Sequence, residues 1–348
     1  MHPIPRLAYL LGSTQDIYMH WAKKNKMTVC IDDIGENAKL LWILDKSWEG
    51  KIPNRVVLYL HGGGFHLPMF EDSASFWSYV QQELKRSDGL DVGVGILDFS
   101  ESRTSYDHGI WFEPYVSCAA LFPEANFPIP LMQTITAIRV LLSRGIKPSN
   151  IILMGDSAGA NLAIQVLLHI LHPLPGLSAL FNSPMDDSES RFAGAYLMSP
   201  WSTLLPREDY SHKSYEENAT WDIISPSTLV ESGSAILSGV EDDHLPYIDS
   251  YFAPPNWYDN MGTVVRKVLI TAGRHECLRE DIIQFGKKVE MSNARGDLDM
   301  KMVVDQHGVH DDPLFDFIIG EKKLGELTPM MISWCRDAFY GSQTSTSI

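Results

Sequence analysis

The feature that most constrains this chain is the pentapeptide Gly155-Asp156-Ser157-Ala158-Gly159. It is set between an apolar run, Asn150 to Met154, and a helical pattern from Ala158 to about Leu171. A strand that enters a helix through a G-x-S-x-G turn holds its central serine exposed at the tip of a strained elbow. The turn is so tight that the flanking residues must be small, and Gly155 and Gly159 let strand and helix approach closely. The helix N-terminus beneath the serine favours developing negative charge. By composition such a pattern arises by chance in about one chain in ten of this size, so the flanking strand and helix are what give it meaning. The competing reading is an ordinary strand-to-helix turn.

A second motif, His61-Gly62-Gly63-Gly64-Phe65, ends the β-rich run Arg55 to Leu60. Its chance frequency is on the order of one in a few hundred chains. Three consecutive glycines let the backbone turn its N–H groups toward one point, as acyl transfer requires where a carbonyl oxygen becomes an oxyanion. One such donor contributes about 3 kcal/mol to transition-state stabilisation. A phosphate cradle is the alternative, but no Lys-Ser or Lys-Thr follows.

The rest of the chain alternates in the same rhythm. Strands are predicted at Ala38 to Leu44, Asp91 to Phe99, Ala193 to Met198, Val264 to Thr271 and Met300 to Val304, with a helix at Pro128 to Arg144. An opening helix is read from Leu7, Leu10, Leu11, Ile17, Met19, Trp21 and Ala22, ending in Lys23, Lys24 and Lys26. Short apolar strands alternating with helices imply an α/β fold, a mostly parallel central sheet with helices on both faces. One domain over residues 1–348 is expected, with helical lid elements from about 1–45 and 201–262. The second of these is rich in Pro, Ser, Asp and aromatics. No internal repeat is evident, and the small polar tail Gly341 to Ile348 is expected to fray.

A hydroxyl nucleophile at neutral pH needs a base, and the base needs an orienting carboxylate. Where a G-x-S-x-G elbow carries the nucleophile, the acid and then the histidine follow it in the chain. The strand Val268 to Thr271 leads into Ala272 to Asp281, where several acids stand. The last strand leads into Asp305-Gln306-His307-Gly308-Val309-His310, which offers two histidines.

Together these motifs resemble the hormone-sensitive-lipase-like branch of the α/β-hydrolases, and within it the fungal esterase-like members. The resemblance runs from about Val56 to Pro313. It rests on Tyr59-Leu60-His61-Gly62-Gly63-Gly64-Phe65, Phe122-Pro123-Glu124-Ala125-Asn126-Phe127-Pro128, Gly155 to Gly159, Ser199-Pro200-Trp201, Gly273 to Asp281 and His307 to Pro313. It implies an α/β-hydrolase fold with Ser157 as nucleophile and Gly63, Gly64 and Ala158 as oxyanion-hole donors. Glu276 takes the acid position, where many relatives carry Asp. Relatives that read His-Gly-Phe would select His307 as base. The fungal Gly-Gly-Val-His pattern, followed by Asp and Pro, selects His310, which is preferred with His307 as the alternative.

Other residues have plainer readings. His61 is expected to position the glycine loop, Asp156 to bond locally, and Cys277 to be a small buried residue. Phe65, Phe70, Trp111, Phe112, Trp201 and Trp257 are candidates to line an apolar acyl pocket, although each alone is more often core. His307 and His310 with Asp305, Asp311 and Asp312 lack a second ligand set at helical metal spacing, so no metal is expected. No cofactor is expected either. Cys30, Cys118, Cys277 and Cys335 are far apart and form no CxxC pair, which reads as free thiols in a reducing compartment. A net charge of -16 argues against nucleic acid or an anionic membrane as partner. No signal peptide is read, and the apolar stretch Ala163 to Phe181 carries two His and two Pro, which argues against a membrane span. A cytoplasmic protein, monomeric or homodimeric, is expected.

The expected reaction is hydrolysis of a carboxylic ester or lactone of a small to medium apolar substrate through an acyl-enzyme. The resemblance to fungal members suggests secondary metabolism. Two other readings stand beside it. The same site would serve a non-hydrolytic condensation, cyclisation or release in a natural-product pathway. A binding protein on a retired hydrolase scaffold would have lost Ser or His, and this chain retains both.

Overall fold

A computed structural model of the chain describes residues 12–44, 53–99, 126–181, 190–293, 296–321 and 323–341. Among them, eight strands form one sheet in the order β1-β2-β4-β3-β5-β6-β7-β8. The strands are β1 Ile31–Gly35, β2 Ala38–Ile43, β3 Val56–Leu60, β4 Gly93–Asp98, β5 Ile151–Asp156, β6 Gly194–Met198, β7 Lys267–Gly273 and β8 Asp299–Asp305. β2 runs antiparallel to both β1 and β4, and all pairings from β4 to β8 are parallel.

The sequence accounts for this order. β3, β4, β5 and β6 are fully buried, and their unbroken apolar runs suit strands covered on both faces. Alternate residues feed two cores. Val56, Leu58 and Leu60 join one, with helices Ile129–Ser143, Ser157–Leu171 and Arg279–Ser292. Val57 and Tyr59 join the other, with Tyr18 and Trp21 of helix Thr14–Lys24, Phe76 and Trp77 of helix Glu71–Asp88, and Met331 and Phe339 of helix Leu327–Tyr340. The period of two in a strand thus separates the layers above and below the sheet.

Two expectations change. The lid segment expected over 1–45 includes β1 and β2, which are sheet strands, because Leu40, Leu41, Trp42 and Ile43 are buried among their neighbours. The part of the opening helix read before residue 12 lies outside the described residues. The described helix is Thr14–Lys24, started by a capping box between Ser13 and Asp16. The strand read from Val264 begins later, at Lys267, while Val265 makes one isolated bridge to Phe192.

Residues 201–262 include the helices His212–Asn218, Pro226–Leu237 and Leu245–Ile248 and the 3-10 turns Asp242–His244 and Ser250–Phe252. His212–Asn218 packs on helix Arg279–Ser292, and Leu245–Ile248 packs on helix Ser157–Leu171, whose residues 157–169 are all buried. Asn161 Nδ2 fastens that contact, donating to the carbonyls of Trp201 and Ile248 at 2.7 Å each. No helix of the described residues is long and apolar enough to cross a membrane.

β3 and β5 lie side by side in the sheet, but their connections leave in opposite directions. β3 is followed in sequence by β4 on one flank, and β5 by β6 on the other. Such a switch point opens a crevice at the carboxyl ends of the strands. The glycine motif follows β3 there and Ser157 follows β5.

Candidate active site

Ser157 is the first residue of its helix and has φ 51°, a left-handed conformation that a non-glycine residue rarely adopts. Holding it there costs about 1–3 kcal/mol, supplied by the surrounding packing. The two glycines make the turn possible. A Cβ on Gly155 would lie 2.3 Å from the Gly159 carbonyl, and one on Gly159 would lie 1.9 Å from the Leu60 carbonyl oxygen. The Ala158 N–H belongs to the first turn of the helix, where N–H groups have no partner within the helix.

The glycine loop packs directly on this elbow. Asp156 Oδ2 accepts the Gly62 N–H at 3.0 Å, and Asp156 Oδ1 accepts the Tyr59 hydroxyl at 2.6 Å. Burial, with Asp311 nearby, pushes the Asp156 carboxyl up to about 8. The Gly63 carbonyl accepts the N–H groups of His66 and Leu67 at 3.0 and 2.9 Å. In a trans peptide the following N–H, that of Gly64, therefore points the opposite way. His61 is fully buried and braces the loop. Its Nδ1 lies 2.8 Å from the Gly62 carbonyl, its Nε2 lies 3.1 Å from Thr14 Oγ1, and its ring stacks on Phe99. Burial lowers its pKa to about 4, so it is a neutral imidazole, with Nδ1–H donating to the carbonyl and Nε2 accepting from Thr14.

At the ends of β7 and β8 the two remaining groups meet. His310 Nδ1 lies 3.2 Å from Glu276 Oε2, and both side chains are buried. The loops that carry them are bonded to each other, Arg274 N–H to the Asp305 carbonyl and His275 N–H to the Gly308 carbonyl. His307 is different. It is exposed, and its backbone N–H caps back to Asp305 Oδ1 at 2.9 Å. His310, not His307, is therefore the histidine that Glu276 contacts.

The electrostatics follow from burial in a small space. Burial pushes Glu276 up to about 7, against the opposing effect of its bond to His310. Burial alone would lower His310, but Asp311 and Glu276 outweigh it and hold the imidazole well above its ordinary value. Asp311 Oδ2 lies 3.2 Å from His310 Nε2, at an angle that does not make a hydrogen bond. Burial raises the Asp311 carboxyl as well, against the attraction of His310, and each carboxyl favours the imidazolium only when ionised.

Three further residues contribute, of which Ser199 stands in the Ser199-Pro200-Trp201 motif and the other two carry no sequence signal. Ser199 follows β6 with φ 42°, and its Oγ accepts the Asp311 N–H at 3.1 Å, which fixes the residue beside the histidine. From residues 201–262, Ser214 Oγ donates to the Cys277 carbonyl at 2.6 Å and Asn218 Nδ2 to the Glu276 carbonyl at 2.8 Å. Ser214 and Asn218 are each a lone polar residue whose partner is about sixty positions away, so no local pattern marks them.

Cys277 is buried, its thiol pushed up to about 12 by burial and by Asp222, and Cys30, Cys277 and Cys335 are free. Cys118 lies outside the described residues. Of the aromatics considered for a pocket, Phe65 lines one, together with Phe127, Pro130, Gln165, Ile236 and Ile248. Phe70 is 45% exposed, Trp201 is core, and Trp257 stacks on His172. Trp111 and Phe112, like residues 122–125 of the Phe122 to Pro128 motif, lie outside the described residues.

The comparisons with known proteins agree with this architecture. A family model described as an alpha/beta hydrolase fold matches residues 120–311, more than half of the chain. An acetyl-hydrolase of Streptomyces hygroscopicus is 26% identical over 243 residues, covering 69% of this chain and 62% of that protein. An esterase of Acinetobacter venetianus is 27% identical over 175 residues, 50% of each. An arylacetamide deacetylase of Oryctolagus cuniculus is 27% identical over 224 residues, 60% of this chain and 46% of that one. The chain thus spans about half to three-fifths of the length of these curated relatives. Among solved structures, an esterase from the bacterial hormone-sensitive lipase family superposes with TM-score 0.61 at 20% identity, covering 97% of this chain and 98% of the other. A hormone-sensitive lipase from a metagenome library gives TM-score 0.62 at 18% identity, covering 89% and 86%.

Proposed function

The chain belongs to the alpha/beta hydrolase fold family, and from that premise we propose that it is a serine hydrolase of the hormone-sensitive-lipase-like branch, cleaving carboxylic esters. The observation that carries the proposal is the buried His310–Glu276 pair at 3.2 Å, set like Ser157 at φ 51° just beyond the carboxyl ends of the parallel strands.

In this reading Ser157 attacks the substrate carbonyl while His310 takes its proton. Glu276 keeps Nδ1 as the protonated nitrogen, so that Nε2 is the basic one, and stabilises the imidazolium as it forms. The N–H groups of Gly63, Gly64 and Ala158 receive the oxyanion. They are fixed before substrate arrives, by Asp156 and His61 on one side and by the helix start on the other, so little reorganisation accompanies the reaction. His310 then protonates the leaving alcohol, and water releases the acyl group by the same steps in reverse order. Residues 201–262 act as the lid, and the pocket beside Phe65 takes the apolar part of the substrate.

The relatives named above, an acetyl-hydrolase, an esterase and a deacetylase, all carry names for transfer of an acyl group to water. They favour hydrolysis over condensation or cyclisation at this site. The test is turnover of p-nitrophenyl acetate, butyrate and octanoate by the purified protein. Hydrolysis of at least one of them, abolished in Ser157→Ala, supports the reading. A folded protein that turns over none of them contradicts it.

A further inference from the structure

We infer that Asp222 is a positioning residue that holds the acid loop and the base loop in register, an inference that rests on the hydrolase reading above. Asp222 lies in neither loop. It stands between helices His212–Asn218 and Pro226–Leu237, the first of which packs on helix Arg279–Ser292 after the acid loop. Its Oδ2 accepts the N–H of Cys277, the residue after Glu276, at 2.7 Å. Its Oδ1 accepts the N–H of His310 itself at 3.3 Å and that of Ile223 at 2.8 Å. One carboxylate therefore joins the backbone beside the acid to the backbone of the base, although the two loops leave different strands.

The chemistry suits the task. An ionised carboxylate only accepts, and two oxygens can serve donors on two separate loops at once. Hydrogen bonds to a charged acceptor are roughly twice as strong as neutral ones. The neighbours sharpen the point. Trp221 and Ile223 are 70% and 48% exposed, so the chain turns its two apolar side chains outward and its carboxylate inward. Ser214 and Asn218 of the same segment bond the carbonyls of Cys277 and Glu276. The lid thus grips the acid loop through both its N–H and C=O groups, and Asp222 carries that grip across to His310. A displacement of about 1 Å in such a pair can lower a rate about a hundredfold.

The test compares Asp222→Asn, Asp222→Ala and Asp222→Glu with wild type. Each is assayed on p-nitrophenyl butyrate, melted, and examined by proton NMR for the strongly downfield Nδ1 proton shared by His310 and Glu276. Asn keeps the volume but turns one acceptor into a donor that faces a backbone N–H. The expected result is kcat lower by about tenfold in Asn and about a hundredfold in Ala with KM within about twofold. The downfield proton should weaken in both, and Glu should restore part of the rate. Asp222→Asn with wild-type kcat and an intact downfield proton overturns the inference, whether or not Asp222→Ala folds. Should the wild type turn over no ester yet lose the downfield proton in Asp222→Asn, the positioning role stands and the hydrolase reading fails.

Discussion

Oδ2 of Asp156 accepts the Gly62 N–H at 3.0 Å, so the residue before the elbow serine holds the loop proposed to bind the oxyanion. Together with His61, that side chain fixes the glycine loop against the elbow. Asp156→Ala frees the loop and leaves the buried Tyr59 hydroxyl without its acceptor. We expect kcat to fall by about ten- to a hundredfold and stability by about 1–3 kcal/mol. Steady-state kinetics and urea unfolding measure both, and wild-type kcat in this variant contradicts the account.

The two candidate bases separate cleanly. His310→Ala removes the side chain that Glu276 contacts and should lower kcat by at least about a thousandfold. His307→Ala removes an exposed side chain and should leave kcat within about twofold. The reverse outcome in the same ester assay would move the base to His307.

The pH dependence has a definite sign. His310 accepts a proton only as neutral imidazole, and Asp311 and Glu276 outweigh burial in favouring the imidazolium. Activity should therefore fall as pH drops through a pKa above the ordinary 6.5. Asp311→Asn removes one of the two carboxylates and should move that limb to lower pH. A kcat/KM profile measured on both proteins decides it. An unmoved limb means that Asp311 does not face the working base.

The elbow also makes a stability prediction. Gly159→Ala places a Cβ 1.9 Å from the Leu60 carbonyl oxygen, where backbone must move, and should destabilise by more than about 4 kcal/mol. Gly145→Ala meets nothing within 4 Å, although φ is +83°, and should lose only about 1 kcal/mol. Thermal melts of the two variants compare them directly. Equal melting temperatures would mean that strand and helix are not packed this closely.

Much of the architecture was legible because burial leaves a mark in composition. β3, β5, β6 and β7 are apolar runs covered on both faces, and each was read within about three residues of its observed bounds. β1 was not read, because Ile31–Gly35 pairs only with β2, is partly exposed, and carries two aspartates. Helix Glu71–Asp88 went unread although Phe76, Trp77, Val80 and Leu84 lie on its buried face. Its polar residues outnumber them and hide the stripe. At the site, Ser157 and the glycine loop stand in contiguous motifs that a single sequence displays. The choice between His307 and His310 could not rest on spacing, since only two residues separate them and the fold decides which one turns inward. Ser214, Asn218 and Asp222 act through hydrogen bonds to backbone far away in the chain, and a one-dimensional pattern carries no trace of such contacts.

The most direct test of the central claim is to trap the acyl-enzyme equivalent. The protein is treated with a fluorophosphonate, and the adduct is located by peptide mass spectrometry. The account predicts one adduct, on Ser157, formed in step with loss of esterase activity and absent from Ser157→Ala. Full inactivation with the label on another residue, or an unlabelled Ser157 in a protein that still hydrolyses esters, would contradict it.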